Sequence, residues 1–67
     1  MREDIEMLLA EIEESGMTIP TLADKAGMDK YVLYNRLKGM GEWKSSEIVG
    51  LSRALRLTNK KRDAIFL

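Results

Sequence analysis

The chain has 67 residues, 11 basic and 11 acidic, with no Cys and no His. That is enough for one small domain, which buries only about 60% of the surface its unfolded chain exposes. Lacking both residues, the chain cannot build a disulfide, a zinc site, a thiol nucleophile or a His-based triad, and it fits a reducing compartment.

Residues 3–15 are predicted to form an amphipathic helix. Ile5, Leu8, Leu9 and Ile12 fall at i, i+3, i+4 and i+7, the inward stripe of a 3.6-residue period. Glu3, Glu6, Glu11 and Glu14 fill the outer face, and Gly16 ends the helix. No glycine-rich loop or calcium-loop spacing accompanies these carboxylates, so they read as a solvated face. Neither a metal site nor acid–base chemistry is expected there.

Thr18 is the expected N-cap of a second helix, about 19–26, with Pro20 in its first turn. Leu22, Ala23 and Ala26 point inward, and Gly27 stops it. Asp29 caps a third helix of about 30–38, with Leu33 and Leu37 inward. GMGEWK, residues 39–44, forms a turn. Ser45 or Ser46 is the expected cap of a fourth helix, about 46–56, with a core stripe of Ile48, Leu51 and Leu55. Thr58 caps a last segment ending in Ala64, Ile65, Phe66 and Leu67. Met17, Met28 and Met40 are expected to fill the core, and Trp43 to pack. No strand alternation, repeat or low-complexity tract is present. The predicted fold is therefore all-α, a compact bundle of about five short helices in one domain, 1–67. No apolar run approaches the 18 residues of a membrane span, and there is no signal-peptide layout, so a cytoplasmic location is expected.

The zero net charge is unevenly distributed. Residues 1–24 carry a net −6 and residues 25–67 a net +6. Such a split suggests a basic surface facing a polyanion and an acidic one facing away, although two ordinary solvated faces give the same sums. Lys60, Lys61 and Arg62 read as a solvated helix face, with a phosphate contact as the second option.

Gly27 interrupts an otherwise helical stretch, LADKAGMDKYVLYNRLKG (22–39), at a cost of roughly 1 kcal/mol relative to Ala. Two short helices joined by a glycine turn make a helix-turn-helix. Ala23, four residues before Gly27, is small enough to let the helices approach. Leu33, six residues after it, plugs the angle between them, and Leu37 extends that inward face. The stretch resembles the helix-turn-helix of phage repressors of the lambda-repressor and Cro type, most closely over LADKAGM. GMGEWKSSEI (39–48) is similar to the segment after the recognition helix in small regulators of Gram-positive phages and mobile elements. The order of elements resembles that family over nearly the whole chain.

The resemblance implies that the helix of about 30–38 enters the major groove of double-stranded DNA. With Leu33 and Leu37 inward, Tyr31, Asn35 and Lys38 point outward, Tyr34 lies beside them, and Lys30 projects from the helix end. Carried over by position, Lys30, Tyr31, Tyr34 and Asn35 match the family's base-reading residues. Asn pairs bidentately with adenine, Lys donates to guanine, and a Tyr ring contacts a thymine methyl. The family often has Gln where this chain has Ile19, so the resemblance leaves the phosphate clamp to the Thr18 hydroxyl and nearby backbone N–H groups. Arg36, Lys38 and Lys44 are further candidates for phosphate contacts, as are Gly41, by close backbone approach, and the Trp43 N–H.

The apolar end, Ile65–Phe66–Leu67, either folds back on the core or is shared with a second copy. Small phage repressors often dimerise through the last helix, so the resemblance implies a homodimer on a palindromic operator. The expectation is a sequence-specific, non-catalytic transcriptional regulator needing no cofactor. The alternative, favoured by the zero net charge, is an antirepressor- or antitoxin-like protein-interaction module that does not read DNA.

Overall fold

A computed structural model describes residues 3–67. Five α-helices follow one another: α1 (Ile5–Ser15), α2 (Ile19–Ala26), α3 (Lys30–Leu37), α4 (Ser45–Ala54) and α5 (Asn59–Phe66). There is no strand among the described residues. The Cα radius of gyration is 10.5 Å, close to the roughly 11 Å expected of a close-packed chain of this length. No helix among the described residues is long and apolar enough to cross a membrane.

Local hydrogen bonds set the helix starts. The Asp4 carboxylate accepts from the Met7 N–H at 3.0 Å, the Thr18 hydroxyl from Thr21 N–H at 3.3 Å, and the Asp29 carboxylate from Tyr31 N–H at 2.7 Å. The Thr58 hydroxyl accepts from Lys61 N–H at 3.1 Å. Each satisfies an amide that the first helical turn leaves without a partner. The start of α4 departs from expectation. Its cap is Lys44, not Ser45 or Ser46, and the work is done from inside the helix: the Glu47 carboxylate reaches back to accept from Lys44 N–H at 3.0 Å.

Each helix contributes one side chain with no exposed surface: Leu8, Leu22, Leu33, Leu51 and Ile65. Ile12, Ala23 and Phe66 complete the core. Burying each large aliphatic side chain contributes about 1.5–3 kcal/mol, which a chain without staples depends on. Leu9, expected in the inward stripe of α1, is instead 45% exposed, because it lies at the edge of a stripe centred on Leu8 and Ile12. Met40 is exposed as well, sitting in the turn beyond the reach of the core, whereas Met17 and Met28 pack against it.

Helix α2 packs on both α3 and α4, while α5 closes on α1. The last contact is fixed by a backbone bond from Asp4 N–H to the Ile65 carbonyl at 2.7 Å and an ion pair of Lys61 with Glu11 at 3.2 Å. Two faces expected to be merely solvated therefore meet there. Ile65 and Phe66, expected as dimer contacts, lie in the chain's own core; only Leu67, 73% exposed, remains outside. Trp43 covers the Phe66 ring edge-on, with centroids 5.2 Å apart, so the aromatic end is sealed from within.

Between α2 and α3 the chain reverses at Gly27, whose φ of 73° lies in the left-handed region. Its N–H bonds to the Asp24 carbonyl, and Met28 N–H bonds back to Ala23. Space is open around Gly27, so conformation alone selects the residue. Gly27→Ala should therefore cost about 1–2 kcal/mol, readable as a lower urea midpoint at an unchanged m-value. An unchanged midpoint would show that Ala takes up this conformation without strain.

Candidate nucleic-acid interface

Helix α3 is held at its buried side and left open at the other. Leu33 is sealed and Leu37 half-buried, which fixes the rotation of the helix about its axis. Lys30, Tyr31, Tyr34 and Asn35 then lie together on its exposed face, Tyr31 at 65% and Tyr34 at 40% exposure. The Lys30 ammonium sits 5.3 Å from the centroid of the Tyr31 ring, a cation–π contact that holds both at the start of the helix. This face offers ammonium and amide donors, an amide acceptor, two phenols and two ring faces.

The amides at the start of α3 are not available to a ligand in the same way. Asp29 takes those of Tyr31 and Val32, so recognition at this end falls to side chains. Thr18 is engaged too. Its hydroxyl accepts from Thr21 N–H and shares a hydrogen bond with the Thr21 hydroxyl at 3.0 Å, so one hydroxyl proton of the pair is left over for a ligand. Sequence reasoning missed Thr21, although a Thr three residues after a capping Thr is the spacing at which two hydroxyls meet. Lys38, the C-cap of α3, and Lys44 are exposed and form no salt bridge among the described residues.

Arg36 has a different role from the phosphate contact expected of it. Its side chain is 14% exposed and its guanidinium pairs with Glu47, Nε to Oε1 at 3.2 Å, while a second nitrogen donates to the Met40 carbonyl at 3.2 Å. Glu47, itself 8% exposed, also caps α4, so one carboxylate ties α3 to the start of α4. Gly41 belongs to the same arrangement. A side chain there would collide with the Arg36 guanidinium, so the missing Cβ makes room for the arginine where a phosphate was expected. Glu47 was also overlooked in the sequence, yet a Glu three residues after a helix cap is a recognised capping signal.

Beside this pair, a cavity of about 310 Å³ separates the α2–α3 turn from the start of α4, with Asp29, Lys44 and Glu47 at its edge. Both carboxylates are already committed to caps. No cluster of three metal-ligating side chains occurs among the described residues.

No family model, curated protein or solved structure was found to match this chain. Function is therefore inferred from the geometry and chemistry of this face.

Proposed function

We propose that this chain is a sequence-specific double-stranded-DNA-binding regulator of transcription, a helix-turn-helix protein of the lambda-repressor and Cro kind. In this reading α3 lies in the major groove. Asn35, Lys30, Tyr31 and Tyr34 meet base edges, while Lys38, Lys44 and the Thr18–Thr21 hydroxyl pair lie against phosphates. The supporting observation is the division of α3 between a sealed Leu33 and a projecting face of these four side chains. The excess of basic residues after position 24 favours a polyanion as partner.

The protein acts as a homodimer on a two-fold operator, with the contact between copies formed outside the sealed Ile65 and Phe66 side chains. Regulation is by occupancy of the operator in the cytoplasm, without catalysis or cofactor.

Selection of bound sequences from random duplexes tests the proposal and reports half-site spacing. Asn35→Ala should cost about 1–3 kcal/mol of discrimination at one base pair. Lys44→Ala should weaken all duplexes alike and lower the slope of log K against log salt by about 0.9. Both residues are exposed, so the variants should stay folded. No enriched sequence, or an Asn35→Ala preference identical to that of the parent, would refute base reading by α3.

A further inference from the structure

The end of α4 and the start of α5 flank an open cavity of about 430 Å³, bordered by Arg53, Arg56, Arg62, Ser52 and Asn59, with Val49 and Leu57 as its apolar part. Arg62 is shared with Asp63 at 3.1 Å. Arg53 and Arg56 are exposed and have no ion-pair partner among the described residues. Arg56 also stands at φ 54°, the only non-glycine residue in the left-handed region among the described residues, a position where glycine would be easier. The first turn of α5 contains no acidic residue and adds Lys60; Lys61, beside it, is turned to Glu11 on α1. Cations are therefore concentrated where the α5 dipole disfavours them.

A separate observation points to the same place. Ser52 Oγ is the one buried side-chain oxygen or nitrogen without a hydrogen-bond partner among the described residues. Unpartnered buried hydroxyls are uncommon and call for an explanation. Ser52 borders the cavity, so its unpartnered hydroxyl lies beside the group the cavity would hold.

We propose that this cavity binds a phosphate group. Two unpaired guanidiniums match the charge of a phosphate monoester, about −1.5 to −2 at neutral pH, or of two successive diester phosphates. Guanidinium forks give phosphate oxygens bidentate hydrogen bonds, and the Ser52 hydroxyl adds a further donor. A single carboxylate would leave one arginine charge unmet. The site is independent of how α3 is used, since its residues lie on α4, on α5 and between them.

The experiment is a titration of the whole chain with inorganic phosphate, followed by amide NMR, against sodium chloride at equal ionic strength. Saturable shifts should concentrate at Ser52, Leu57 and Asn59. Arg53→Ala should weaken phosphate about tenfold or more, whereas Lys25→Ala, an equal charge loss elsewhere, should leave it little changed. Ser52→Ala keeps every charge and should also weaken binding. Shifts that follow ionic strength alone, or an Arg53→Ala variant with parental phosphate affinity, would overturn the site. A duplex arm identifies the source. If Arg53→Ala/Arg56→Ala lowers the salt slope of DNA binding by about 2, the phosphates are those of the DNA backbone. If duplex binding is unchanged while phosphate binding is lost, the ligand is a free phosphorylated molecule. Both results uphold the site.

Discussion

Glu47→Ala should lower the stability of this domain by about 3 kcal/mol, the largest loss expected from any single change at a polar residue. The side chains of Arg36 and Glu47 are 14% and 10% exposed, so the pair is largely shielded from water. Removing the carboxylate leaves a guanidinium with only the Met40 carbonyl for company and deprives α4 of its cap. A 67-residue domain has about 3–10 kcal/mol in all, so the thermal midpoint should fall by about 15 °C. The double variant Arg36→Met/Glu47→Leu should lose less than Glu47→Ala does, since replacing both partners leaves no orphaned charge. Additive losses in the double variant would show that the pair contributes as two independent residues. Under the proposal that α3 reads DNA, duplex affinity should also drop with Glu47→Ala at temperatures where the variant is folded, because the same carboxylate sets α3 against α4.

Gly50→Ala should destabilise by about 2–3 kcal/mol, although Ala is favoured over Gly inside a helix by about 1 kcal/mol. A Cβ at this position collides with the Ala26 backbone carbonyl, the last residue of α2. Backbone cannot swing aside as a side chain does, so α2 and α4 must separate, and α2 is the helix on which both α3 and α4 lean. Circular dichroism at low temperature should show undiminished helix with a midpoint lower by about 10–15 °C. A neutral or raised midpoint would mean that α2 shifts without loss and that the close approach is dispensable.

These two residues also mark where the sequence stopped being legible. Thr18, Asp29 and Thr58 cap helices as their positions suggested, because a cap is a hydrogen bond within three residues of itself. The buried face of α3 was equally readable, since Leu33 and Leu37 fix the rotation and thereby expose Tyr31 and Asn35. Glu47 was not, because burial of a carboxylate depends on an arginine eleven residues earlier in the chain. Gly50 was not singled out either, because nothing within its own helix explains it and only the neighbouring helix, at Ala26, does. Ile65 and Phe66 were ambiguous for a simpler reason: an apolar side chain is equally content in its own core or another copy's. At the candidate site the missing information was finer still. That Thr18 and Thr21 share a hydroxyl contact at 3.0 Å depends on side-chain rotamers that composition does not encode.

Closure of α5 on α1 bears on how the molecule is made. Helix α1 is synthesised well before α5, and its apolar stripe lacks that cover until α5 has been made. Helices α2, α3 and α4 meet partners that are nearby in sequence and assemble early, while α1 is settled only when Ile65 arrives to receive the Asp4 amide. Removing α5 should therefore leave α2, α3 and α4 their mutual contacts while stripping α1 of its own, and proteases should clear such a truncation faster than the parent.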